Sequence, residues 1–166
     1  MVILFAGIPG SGKSTLVNYL VKLSKVDLVV LQPELLYSST ADNTTKMAAW
    51  DTCIEQFKEE IYNIDSTIIL DTCGSNKDVM IELANNSTKL GHKVIIAAMN
   101  TDSEICKVRN IDRKLTLSDS KITEYKHKLY EVIKLLRENY KVVVLNTNTK
   151  EDTKSSLKKI LAVING

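Results

Sequence analysis

Five short apolar runs rich in β-branched residues punctuate the chain, at Val2–Ala6, Asp27–Leu31, Thr67–Leu70, Lys93–Met99 and Lys141–Leu145. They are continuous rather than alternating, the pattern of strands covered on both faces of a parallel sheet. Between them, apolar residues recur at helical spacing. Leu16, Leu20 and Leu23 share one stripe, as do Ile54, Phe57 and Ile61, then Leu129, Ile133 and Leu136, and finally Leu157, Ile160 and Ile164. Strand and helix thus alternate about five times. That order predicts a three-layer α/β sandwich with a five-stranded parallel sheet and right-handed crossovers. No internal repeat or linker interrupts it, so residues 1–166 read as a single domain. The Ser/Thr/Asn-rich stretch Ser38–Thr45 reads as a surface loop after the second strand.

Composition narrows the class. The 166 residues are 44% hydrophobic and 25% charged, values of a folded globular chain. At this length a chain buries roughly 70% of its unfolded surface, enough for a core without metals or disulfides. The cysteines, Cys53, Cys73 and Cys106, are odd in number and widely spaced, and His92 and His127 form no ligand-spaced cluster. A disulfide framework and structural zinc are both excluded on that pattern, and a reducing cytoplasm is the expected location. Val2–Ala6 is too short for a signal peptide, and no run approaches the roughly 20 apolar residues of a membrane span. The net charge of +2 conceals an asymmetry: residues 1–100 sum to −3 and residues 101–166 to +5.

The chemistry begins directly after the first strand. Gly7-Ile8-Pro9-Gly10-Ser11-Gly12-Lys13-Ser14-Thr15 satisfies G-x-x-x-x-G-K-[ST] between a predicted strand and a predicted helix. Its glycines let successive N–H groups curl toward phosphate oxygens, and the helix N-terminus adds positive potential there. Gly7, Pro9, Gly10, Ser11, Gly12, Lys13, Ser14 and Thr15 are therefore expected to hold ATP, with Lys13 on the β- and γ-phosphates and Ser14 on Mg²⁺. The alternative, a glycine turn that binds nothing, does not account for strand, loop and helix in register. Asp71, at the end of the third strand, is placed for the same metal or for the acceptor, unless it merely caps the next helix.

A phosphate loop does not choose the reaction. Asp71-Thr72-Cys73-Gly74 matches the D-x-x-G of a GTP-dependent switch, but Asn100-Thr101-Asp102-Ser103 lacks the Lys and Asp of the base-reading N-K-x-D. An ATP-driven motor needs more chain than this. A kinase has positive support in Arg109-Asn110-Ile111-Asp112-Arg113, where two of only three arginines sit four apart on one predicted helix face. Forked guanidinium groups suit a transferring phosphoryl group. The alternative is a solvated helix face, with Glu104 and Asp112 pairing the arginines, but two clustered arginines in a chain of 19 lysines point to geometry.

Together, Gly7–Thr15, the strand ending in Asp71-Thr72 and Arg109-Asn110-x-x-Arg113 resemble the polynucleotide 5′-hydroxyl kinase branch of the small P-loop NTPase kinases, over Met1 to about Tyr130. The resemblance implies an arginine-bearing lid near residues 103–120 and ATP with Mg²⁺ as cofactors. It implies Lys13, Arg109 and Arg113 around the γ-phosphate, and an acidic base after the second strand. In this sequence Glu34 stands where that family has aspartate, and Tyr37 where it has the arginine that holds the acceptor's phosphate. Cys73 replaces an asparagine after Asp71-Thr72. Glu34 is the expected base, since reach matters more than residue type.

The expected activity is transfer of the ATP γ-phosphate to a hydroxyl of a nucleic acid or nucleotide, with no membrane partner. The alternatives are a kinase for a small metabolite, nucleoside or hydroxylated DNA base, and a GTP-dependent switch. Lys121, Lys126, Lys128 and Lys134 on the helix after the lid could meet nucleic acid, but the interleaved Glu124 and Glu131 favour a solvated face. Trp50, beside Met47 and Cys53, is either core or a wall for the acceptor base.

Overall fold

A computed structural model of the chain describes residues 1–38, 41–111 and 117–166. Its strands are β1 (Val2–Ala6), β2 (Leu28–Leu31), β3 (Thr67–Thr72), β4 (Val94–Met99) and β5 (Lys141–Leu145). Its helices are α1 (Lys13–Leu23), α2 (Asn43–Glu60), α3 (Lys77–Lys89), α4 (Ser103–Ile111), α5 (Asp119–Leu136) and α6 (Lys150–Asn165). The strands form one all-parallel sheet in the order β2-β3-β1-β4-β5. This is the expected five-stranded parallel α/β sandwich.

The continuous apolar runs follow from this layering. Side chains alternate across a strand, so Val2 and Leu4 enter a core with Phe57, Met80, Leu83, Leu129 and Leu136 from α2, α3 and α5. Ile3 and Phe5 point the other way, into a core with Leu16, Val17 and Leu20 of α1 and Ile160 and Ile164 of α6. Because β1 is buried on both faces, all five of its residues are fully covered.

The helix expected after Asp71 is α3, which fills the crossover between β3 and β4; its buried stripe is Met80, Leu83, Ala84 and Ser87, too mixed in polarity to stand out as apolar periodicity. One expectation needs correction. The loop expected over Ser38–Thr45 yields to helix at Asn43, because the Asp42 side chain accepts the Thr45 N–H and caps α2. Ser39 and Thr40 of that stretch lie outside the described residues. Trp50 consequently sits two turns inside α2 and is half-buried.

The crossover from β1 runs to β2 on one side of the sheet and the crossover from β3 runs to β4 on the other, so a crevice opens beyond the C-terminal ends of β1 and β3. Register then aligns the contents of that crevice. Phe5 pairs with Asp71 and Ala6 with both Thr72 and Ala98. The loop after β1, the carboxylate at the end of β3 and the turn after β4 meet at one level.

The last helix starts on a reciprocal cap: the Thr149 hydroxyl accepts the Asp152 N–H, and the Asp152 carboxylate accepts the Thr149 N–H. Thr149→Ala is expected to lower the melting temperature by about 2–4 °C in a thermal scan, the shift that a cap loss of about 1 kcal/mol produces at this chain length. No helix among the described residues is long and apolar enough to cross a membrane.

Candidate active site

The loop between β1 and α1 owes its path to two left-handed glycines, Gly10 at φ 82° and Gly12 at φ 85°. Gly12 is also the N-cap of α1, and no side chain caps that helix start. The first N–H groups of α1 are thus left for an anion. A β-carbon at Gly12 would fall 2.6 Å from the Thr147 hydroxyl, and one at Gly7 2.6 Å from the Met99 side chain. The loop is closed against β4 and the β5–α6 turn, and only hydrogen fits at these points.

Lys13 folds back over the loop, its Nζ donating to the Gly7 carbonyl at 2.6 Å and the Ile8 carbonyl at 3.4 Å. Behind it, the Ser14 hydroxyl donates to Asp71 Oδ2 at 2.8 Å, and Gln32 Nε2 donates to the same oxygen at 2.8 Å. Asp71 is buried there, only 2% exposed. It does not cap the following helix; Asn76 does, accepting the Val79 N–H. Hydroxyl and carboxylate oxygen are the donors a hard cation takes, and the described residues hold no cluster of three or more acidic, His or Cys side chains. That set fits Mg²⁺, which binds through one or two protein oxygens with phosphates and water supplying the rest. Ser14 and Asp71 are the residues that could hold it.

Arg109, on α4, reaches across the loop. Its guanidinium donates to the Thr147 hydroxyl at 3.1 Å, the Thr147 carbonyl at 2.5 Å and the Gly10 carbonyl at 3.4 Å. Glu104, one of the two expected partners of the arginines, binds Lys107 at 2.7 Å and not Arg109; the other, Asp112, lies outside the described residues. Arg113 lies outside the described residues, with the rest of 112–116 in the expected lid. The two flanks of that segment are joined by Asn110, which donates to the Leu117 carbonyl at 2.9 Å and accepts the Leu117 N–H at 3.4 Å.

Pro9, Lys13, Ser14, Glu34, Cys73 and Arg109 all line one cavity of about 410 Å³. Glu34 enters it from a single 3₁₀ turn, Pro33–Leu35, that packs against α2. Cys53 of α2 lies within the field of this acidic side. Its thiol is pushed up to about 11, first by burial and then by the negative charges of Glu34 and Asp71.

A family model described as an AAA domain matches residues 2–131. The chain belongs to that family. Among curated proteins, none matches this AAA domain. Solved structures similar to it share its fold at low identity. Kti12 of Chaetomium thermophilum, in complex with ADP-AlF3, is 15% identical with a TM-score of 0.67, covering 100% of both chains. Deoxyadenosine kinase of M. mycoides, bound to dCMP and dCDP, is 15% identical with a TM-score of 0.65, covering 99% of this chain and 98% of its own. A sugar kinase from a Janibacter species is 13% identical at 0.63, covering 97% and 92%.

Three side chains of this AAA domain's crevice escaped the sequence: Gln32, Asn110 and Thr147. Gln32 carries a usable signal, a polar residue just past a strand end two positions from Glu34. Asn110 lay inside the quoted arginine motif without a role. Thr147 had no signal at all. With Thr101 it converges on the Ser11 carbonyl, at 2.7 Å and 2.9 Å, binding the loop to the ends of β4 and β5.

Proposed function

We propose that residues 1–166 act as a single P-loop kinase domain that transfers the ATP γ-phosphate to a hydroxyl of a nucleic acid or nucleotide. The observation that carries this is the shared cavity: a lysine, an arginine and a carboxylate face one space beside a capless helix N-terminus. In this reading Glu34 takes the proton of the acceptor hydroxyl as its oxygen attacks the γ-phosphorus. The bond to the β-phosphate oxygen breaks, and ADP leaves. Lys13, Arg109 and Arg113 stabilise the charge spread over the transferring oxygens. Ser14, with Asp71 behind it, would hold Mg²⁺, which would supply charge neutralisation for the triphosphate. The three free cysteines suit a reducing cytoplasm.

A small acceptor is the second reading, favoured by Tyr37 in place of a phosphate-holding arginine. The GTP switch loses its main support. Gly74 of the D-x-x-G match has φ 69°, and a β-carbon there would fall 2.5 Å from that of Ala6, so packing alone demands glycine.

The test is to incubate the chain with γ-labelled ATP and, in parallel, 5′-hydroxyl DNA, 5′-hydroxyl RNA, nucleosides and nucleoside monophosphates. Label on a nucleic acid or nucleotide supports the proposal. Label on none of them refutes it, and greater thermal stabilisation by GTP than by ATP revives the switch. Within this mechanism Thr147 positions Arg109. Thr147→Val keeps the shape but removes the hydroxyl, and kcat is expected to fall roughly tenfold, the equivalent of one charge-assisted hydrogen bond. Unchanged kcat would show that Arg109 needs no such anchor.

A further inference from the structure

The lysines of α5 divide into two groups. Lys121 and Lys128 flank Glu124 at 2.9 Å and 2.6 Å, so this face is neutralised, and Glu124 is driven down to about 2, its hydrogen bonds from Lys128 and Lys121 being the main cause. That much agrees with the solvated face expected from the sequence. Lys126 and Lys134 depart from it. They turn with Arg137 into a separate groove of about 300 Å³ between α5 and the sheet, lined there by Ala98 and Met99 at the end of β4, by Asn100 and by Val144 of β5. Lys126 meets only the hydroxyl of Ser103, and no described residue forms an ion pair with Lys126, Lys134 or Arg137.

No carboxylate lines the groove, and its floor is apolar. Ile133 and Val144 contribute to that floor, and Tyr130 stands at its side, 69% exposed. A largely exposed tyrosine ring among unpaired cations is a poor arrangement for solvent alone and a good one for a stacked base beside phosphates. The spread of charge argues for a polymer. Lys126 to Arg137 spans about 16 Å of helix at 1.5 Å per residue, more than one phosphate group can bridge.

We propose that this groove binds single-stranded nucleic acid, its backbone along Lys126, Lys134 and Arg137 and a base on Tyr130. The proposal goes beyond the phosphotransfer reading and does not rest on it. Without hydrogen-bond donors committed to base edges, the binding is tolerant of sequence.

The test is fluorescence anisotropy of a labelled 12-nucleotide single strand at a series of salt concentrations, with no ATP present. Three neutralised phosphates predict a log–log salt slope of about −2 for the native chain. The double substitution Lys134→Gln and Arg137→Gln is expected to reduce that slope to about −0.7. Tyr130→Ala is expected to weaken binding at least about fivefold with the slope retained. Far-UV circular dichroism checks that the variants are folded; all three positions are exposed, and Tyr130→Phe, expected to retain binding, serves as the conservative control. Lys13→Ala is expected to bind the strand as the native chain does, and the Lys134/Arg137 variant to retain phosphorylation of a small acceptor. Failure of binding is therefore separable from failure of catalysis. Absence of binding by the native chain at low salt overturns the proposal, as does a slope indifferent to the double substitution. Equal competition by an oligoglutamate peptide overturns it in favour of an acidic protein partner.

Discussion

Lys13→Ala is expected to lower phosphotransfer at least about a hundredfold, the usual consequence of deleting one preorganised charge at the transferring group. Lys13 holds the Gly7 and Ile8 carbonyls, and those bonds keep its ammonium over the loop mouth, between the backbone donors and Arg109. Removing it leaves Gly10 and Gly12, which shape the loop, untouched. The fold should persist, and nucleotide affinity should fall less than kcat, because the charge on the γ-phosphate oxygens grows during transfer. Single-turnover kinetics with γ-labelled ATP separate the two. Near-normal transfer by this variant would mean that the glycine loop is not the triphosphate site.

Glu34→Gln carries the second large effect, a loss of about 10²–10⁴ in kcat if the carboxylate removes the acceptor proton. Glutamine preserves length and hydrogen bonding but cannot take a proton, so the rate should fall while nucleotide binding is retained. Glu34→Asp should recover part of the rate. Its shorter arm leaves the base in the cavity, reached from the same 3₁₀ turn. A solvated loop carboxylate would behave otherwise: both variants would transfer phosphate at the native rate.

These two residues illustrate how unevenly the site is written along the chain. Lys13 could be read in nine consecutive letters, because a loop cradling phosphate needs glycine, lysine and hydroxyl at fixed short spacing between a strand and a helix. Glu34 was readable only against a family likeness. Asp71 lay between: its strand was evident, but its function as the acceptor of the Ser14 and Gln32 hydrogen bonds depends on β3 lying beside β1 in a particular register. Helix α3 was expected after Asp71 without a readable stripe, because alanine and serine share its buried face with methionine and leucine. Packing against the sheet stabilises that helix, and no apolar periodicity announces it.

The sequence by itself determined the alternation of buried strands and amphipathic helices, and with it the layered parallel sheet and the phosphate loop. Both rest on periodicity and spacing within about a dozen residues, where backbone geometry ties position in the chain to position in space. Only the tertiary structure decided which polar groups meet. Thr147 and Ser11 are 136 positions apart, yet their hydrogen bond closes the loop and Thr147 anchors Arg109. It also sorted the α5 lysines, turning two toward Glu124 and two into the groove over the end of β4. Such meetings depend on strand order and crossover direction, which bring distant segments within hydrogen-bonding reach and leave no local trace in the letters.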